Sequence, residues 1–182
     1  SYLARLSELH EPIDTRTSVG DILSDLEALC CPLSDADLDT TTQSLMAALR
    51  RDKARFHWYL ALLDLAGALE QAQVTSFLTR FADRCCDGAL RHALSKEGAG
   101  RDGLALFALG KMGAFELNYS SDIDMAAFYD GDVFDGGARD PGEAASRAVR
   151  EAMRILSERT RDGYVFRTDL RLRPDPSSTP LA

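Results

Sequence analysis

Asp122 and Asp124 stand two residues apart in the segment Ser120-Ser121-Asp122-Ile123-Asp124-Met125. Side chains at that spacing on a β-strand share one face. Two carboxylates so placed repel each other unless a cation lies between them. Mg²⁺ takes hard oxygen ligands and commonly draws only a few from protein, leaving the rest to water and phosphate. The pair therefore reads as a magnesium seat. A third carboxylate, Asp169, lies in a segment that alternates strictly from Tyr164 to Arg173. Tyr164, Phe166, Thr168, Leu170 and Leu172 face one way, and Val165, Arg167, Asp169, Arg171 and Arg173 the other. Taken alone, an aspartate among arginines fits a salt-bridge network as well as it fits a ligand. Taken with Asp122 and Asp124, it completes a set able to hold two metal ions roughly 4 Å apart. Such a pair orients the attacking and leaving oxygens of an in-line phosphoryl displacement.

Upstream, Gly110-Lys111-Met112-Gly113 follows an apolar run, Leu104 to Leu109. Glycines there let backbone N–H groups approach a phosphate, and a helix start would add its dipole. Turns need glycine anyway, so the loop is weak evidence by itself. Ser120 and Ser121 suit a cap or a phosphate donor equally.

The elements that must carry these residues follow from periodicity. Leu104–Leu109 predicts a buried strand, Gly110–Asp122 a long connection, and Ile123–Tyr129 a second strand. Asp140 suits an N-cap, Pro141 the first helical position, and Glu143 a capping-box partner. Ala145, Ala148, Val149, Ala152 and Leu156 form that helix's apolar stripe, with Gly163 just past its end. Residues 1–97 carry helical patterns over Ser18–Leu29, about Ser34–Ala68 and about Gln71–Leu94, with Pro32 closing the first. Phe56, Trp58 and Tyr59 read as packing between helices. The glycine-rich break Gly98–Gly103 separates a helical region, 1–97, from a catalytic core, 104–182. Together these give an α+β chain with a small mixed sheet preceded by helices.

Composition narrows the function classes. Hydrophobic residues make up 45% and charged residues 27% of 182, ordinary for a globular chain. Acidic residues outnumber basic ones 29 to 21, for a net charge of −8, which argues against nucleic acid as substrate. Of the dense arginine groups, Arg50/Arg51 with Arg55 reads as a solvated helix face. No apolar run reaches membrane-spanning length, and no signal peptide opens the chain. The initial Ser1, in place of Met, suggests a piece of something longer. Cys30-Cys31 and Cys85-Cys86 read as reduced thiols packed on helices, which points weakly to a cytoplasmic address.

The string Gly110-Lys111-Met112-Gly113-Ala114-Phe115-Glu116-Leu117-Asn118-Tyr119-Ser120-Ser121-Asp122-Ile123-Asp124 closely resembles the signature of the bifunctional glutamine synthetase adenylyltransferase/adenylyl-removing enzymes. Asp169-Leu170-Arg171-Leu172-Arg173-Pro174, followed by Pro180-Leu181, looks like that family's second signature. The likeness runs from about Leu45 to the end. Ala114 departs from it, since a second adjacent glycine is common there. The resemblance implies a nucleotidyltransferase fold of the DNA polymerase β type. It places the metal and catalytic carboxylates on Asp122, Asp124 and Asp169, with two Mg²⁺. It maps the phosphate loop onto Gly110 and Gly113; Lys111 and Ser121 beside the motif are further candidates for nucleotide contact, and Arg171 and Arg173 suit charge stabilisation on the phosphoryl oxygens or salt bridges equally. The Glu-Leu-Asn-Tyr-Ser-Ser wording looks like the N-terminal, adenylyl-removing half, which releases AMP from a glutamine synthetase tyrosine by phosphorolysis and yields ADP. Alternatives are adenylyl transfer from ATP, or a non-catalytic module that binds nucleotide or a partner. Partners so implied are glutamine synthetase and, through a longer protein, a PII-type nitrogen signalling protein.

Overall fold

The first three helices each begin at a hydroxyl side-chain cap. The computed structural model describes residues 18–170. Ser18 accepts from the Asp21 N–H and opens α1, Val19–Cys30, with a full capping box. The chain is extended at Cys31, as suits a residue preceding proline. The long pattern expected over Ser34–Ala68 divides in two. Ser34 caps a single turn, α2 (Asp35–Leu38), and Thr41 then caps a separate helix, α3 (Thr42–Leu65). Hydroxyl side chains that bond the backbone locally favour starting a helix over continuing one, and periodicity alone misses such a break. Next comes α4, Gln71–Glu97, with the expected stripe of Val74, Phe77, Leu78, Phe81, Cys85 and Ala89 buried.

The second half follows as β1 (Leu104–Leu109), a one-turn helix α5 (Gly110–Gly113), β2 (Ile123–Tyr129), α6 (Pro141–Ser157) and β3 (Thr168–Leu170). The connection from Gly110 thus starts with a helical turn. Asp140 caps α6 by accepting from the Glu143 N–H, with Pro141 in the first turn. Gly163 lies farther from α6 than expected. The helix gives way at Glu158, and Gly163 instead closes a small bridge with Thr160.

The three strands form one sheet in the order β1-β2-β3. β1 runs antiparallel to β2, while β3 runs parallel to it. Register sorts the side chains onto two faces. Leu104, Leu106, Ala108, Ile123, Met125, Ala127 and Leu170 join the main hydrophobic cluster. Ala105, Phe107, Leu109, Asp124, Ala126, Phe128 and Asp169 face the other way. β1 is therefore not buried on both sides: Phe107 and Phe128 are about half exposed and meet edge to face at 5.5 Å. An apolar run alone does not reveal whether a second layer covers a strand.

The hydrophobic cluster is continuous from α1 through α4 to α6 and the sheet. Phe56 of α3 stacks on Phe81 of α4 at 4.3 Å, while Tyr59 is only partly buried beside the core. Cys30, Cys85 and Cys86 are buried free thiols as anticipated, but Cys31 is exposed. Burial pushes Cys30 up to about 11 and Cys85 up to about 12, so both stay protonated near neutrality. Among the described residues no helix is long and apolar enough to cross a membrane.

Candidate active site

The first arm of the site is built from the end of β1. Gly110 turns the chain with φ +55°, and a Cβ placed there would meet Asp124 Oδ2 at 2.9 Å. A left-handed backbone and a carboxylate lying against it both require glycine at this position. Gly113 is equally constrained, since its Cβ would lie 2.6 Å from the Ala108 carbonyl oxygen. The turn closes with a Schellman pattern. The Glu116 N–H donates to Lys111 O at 2.8 Å and the Phe115 N–H to Met112 O at 3.2 Å. Phe115 occupies the left-handed position, φ 58°, where glycine is usual. One helical turn is too short to present a dipole to an anion, so the contribution expected from a helix start is not supported.

Met112 and Leu117 anchor the following loop in the core. Tyr119 ties it to α3: its hydroxyl donates to Asp64 Oδ2 at 3.2 Å, and its ring meets the His57 ring edge-on at 5.7 Å. Burial, with the Asp64 carboxylate beside it, raises the Tyr119 phenol well above its ordinary range, so it remains a donor. Burial likewise drives the His57 imidazole down to about 3, leaving it neutral. Ser121 acts in a local turn, where its Oγ accepts from the Asn118 N–H at 3.3 Å. Lys111 is exposed on the turn.

The second arm is the segment leading into β3, and it differs from strict alternation. Val165 and Phe166 are both buried, and regular pairing with β2 is limited to Thr168–Leu170 within the described residues. Both their N–H groups donate to Leu156 O, at 2.9 and 3.1 Å, which fixes the segment to the last turn of α6. From the other side α3 supplies two cations. Arg50, expected on a solvated face, is only 3% exposed. Its guanidinium donates to the carbonyls of Met46, Ile155, Glu158 and Gly163. Lys53 donates to the carbonyls of Tyr164 and Val165 and lies 4.7 Å from the centre of the Tyr164 ring. The sequence does hold a signal for both. They fall at helical spacing between Met46 and Leu49 on one side and Phe56 and Leu60 on the other, within the buried stripe.

These arms bring Asp124 and Asp169 together as direct partners in the parallel β2–β3 ladder, on the sheet face away from the core. Neighbouring strands lie about 4.8 Å apart. Side chains on backbones that close can bring two hard oxygens to one Mg²⁺. Asp122 is turned elsewhere: its Oδ1 accepts from Arg167 Nε, and Arg167 Nη2 also donates to Ser120 O at 3.1 Å. In this arrangement no three His, Cys, Asp or Glu side chains among the described residues converge as a metal-binding group. The expected roles of Arg171 and Arg173 lie outside the described residues.

A family model described as glutamate-ammonia ligase adenylyltransferase matches residues 4–182. The chain belongs to that family. Relatives named bifunctional glutamine synthetase adenylyltransferase/adenylyl-removing enzyme agree with the assignment. The protein of that name from Mesorhizobium japonicum is 44% identical over 173 residues, covering 86% of this chain and 18% of the relative. Those from Bartonella quintana and Caulobacter vibrioides are 41% and 42% identical over the whole of this chain, which covers 19% and 20% of their lengths. The chain thus spans about a fifth of the length of the curated relatives it matches.

Proposed function

We propose that this chain carries a Mg²⁺-dependent nucleotidyl-transfer site of the DNA polymerase β type. Its reaction is the removal of AMP from adenylylated glutamine synthetase by phosphorolysis. The observation that carries this reading is the in-register pairing of Asp124 with Asp169 on an open sheet face. Paired carboxylates open to solvent can bind a cation and still admit a phosphoryl substrate. The names of the relatives supply the protein substrate, and the Glu116-Leu117-Asn118-Tyr119-Ser120-Ser121 wording favours removal over addition.

Asp124 and Asp169 would hold the metal, with Asp122 as the third ligand. Bound Mg²⁺ would supply charge neutralisation of the phosphoryl oxygens as displacement proceeds. An oxygen of inorganic phosphate attacks the adenylyl phosphorus in line. The bond from phosphorus to the tyrosine oxygen breaks, the phenolate takes up a proton, and the new bond makes ADP. Gly110 keeps the space beside Asp124 clear, Lys111 and Gly113 belong to the same turn, and Ser121 stands in the turn from Asn118 that leads into β2. Arg171 and Arg173 complete the phosphate contacts in this reading. In a longer protein the site acts in the cytoplasm, beside an ATP-using half and under a PII-type signalling partner.

The test replaces Asp124 with Asn in the full-length protein. ADP formed from adenylylated synthetase and phosphate is then measured. Loss of at least a hundredfold in rate is expected, on the order of what removing a charge-stabilising group costs elsewhere. Unchanged ADP formation would remove Asp124 from the chemistry. Labelled AMP transferred from ATP to unmodified synthetase, dependent on the same residue, would reassign the site to the forward reaction.

A further inference from the structure

Arg167 combines a backbone held by strand pairing with a largely exposed side chain, whose guanidinium bonds Asp122 Oδ1 and the Ser120 carbonyl. The Ile123 N–H donates to Arg167 O at 3.0 Å, which continues the β2–β3 ladder one step beyond the paired strands. Buried Val165 and Phe166 hold the residues just before it. Arg167 precedes Asp169 by two positions and shares its face. The Arg167 side chain that reaches Asp122 Oδ1 is nevertheless 59% exposed, and the Asp122 side chain is 54% exposed. A long side chain on a pinned backbone can change partner without moving the strand. The carboxylate it engages is one of the proposed metal ligands.

We infer that Arg167 is an exchangeable counter-ion. It competes with a divalent cation for Asp122 and, once displaced, turns its guanidinium to the phosphoryl anion held at the same site. This rests on the metal-site reading above. The pairing answers an electrostatic need, because Asp122 lies two residues before Asp124, which already faces Asp169 across the ladder. A guanidinium bonded to Asp122 Oδ1 and a cation coordinated by that oxygen exclude one another. An exposed ion pair is weak, so a divalent cation can displace it. A freed guanidinium is a good planar donor to phosphate.

The inference gives opposite signs for two ligands, which a purely structural arginine would not. The full-length protein is titrated with Mn²⁺, and free ion is followed by electron paramagnetic resonance. The component removed by Asp124→Asn identifies this site. Arg167→Gln is expected to tighten that component about threefold to tenfold. In saturating Mn²⁺ the same variant should bind inorganic phosphate several-fold more weakly, and Arg167→Lys should restore most of both. Far-UV circular dichroism checks that the fold is kept. If Asp124→Asn removes a Mn²⁺ component that Arg167→Gln leaves unchanged or weakens, the competition is refuted while the metal site stands. If Arg167→Gln tightens Mn²⁺ without weakening phosphate, the transfer to the anion is refuted. If no Mn²⁺ component depends on Asp124, both the site and the exchange fall.

Discussion

Lys53 is one of three lysines in the chain and the one enclosed by the second arm of the site. Burial drives its ammonium from 10.5 down to about 8; the Arg50 and Arg167 charges add to this and Cys85 offsets part of it. The drop corresponds to roughly 3 kcal/mol weighing against the charged form in the folded state. The sign for stability follows from proton counting. Between about pH 8 and 10.5 the unfolded chain holds a proton that the folded chain has released, so stability rises with pH across that window. Below about pH 8 both states are protonated and the folded state carries the whole burden. Replacing Lys53 with Met removes that burden but leaves the Tyr164 and Val165 carbonyls without their donor, a loss on the order of 1–3 kcal/mol. At pH 7 the two effects nearly cancel, so the pH dependence is the informative quantity. Urea denaturation of the 182-residue chain and its Lys53→Met variant at pH 7 and pH 9.5 should show wild type gaining about 2 kcal/mol on the variant. With so few lysines, a ¹³C titration of the Cε signals should place one midpoint near 8, against about 10.4 for an ordinary lysine. A stability difference flat with pH, or no Cε signal titrating below about 9.5, would refute the argument.

Arg50→Met should destabilise the chain by about 3 kcal/mol, because it strips a buried donor from four carbonyls. The neighbouring exposed Arg51→Ala should stay within about 0.5 kcal/mol in the same denaturation series. Gly110→Ala should lower ADP formation and raise the Mg²⁺ needed for half-maximal rate, since its methyl displaces the Asp124 carboxylate. Gly113→Ala drives a methyl into the Ala108 carbonyl and should instead appear mainly as a lowered Tm.

Local patterns carried much of the fold. The α6 cap at Asp140 and Pro141, its alanine-rich stripe and the bounds of β2 depend on residues within a few positions of one another, so periodicity finds them. The break between α2 and α3 escaped because a hydroxyl cap interrupts the helix without interrupting its apolar spacing. The facing of Asp124 and Asp169 could be expected only from alternation on each strand; their pairing required the parallel register between strands 45 residues apart. Arg50 and Lys53 were harder still. Apart from Met46 one turn back, their carbonyl partners lie 105 to 113 residues along the chain, and an arginine inside an apolar stripe does not announce what it will satisfy. Asp122 illustrates the same limit within the motif. Its type and spacing read as those of a ligand, but its contact with Arg167 depends on how β3 docks.

The single carbonyl of Leu156, gripping both Val165 and Phe166, makes the last turn of α6 a ruler for the site. Each residue added to a helix turns its end by about 100° and advances it by about 1.5 Å. A strand answers in another unit, since a slip of one residue sends every side chain through to the opposite face. No small change in α6 can be passed smoothly to Asp169: the carboxylate either stays opposite Asp124 or turns into the core. Length variation in this family should therefore collect in the loop between β2 and α6 and spare the stretch from Pro141 to Asp169.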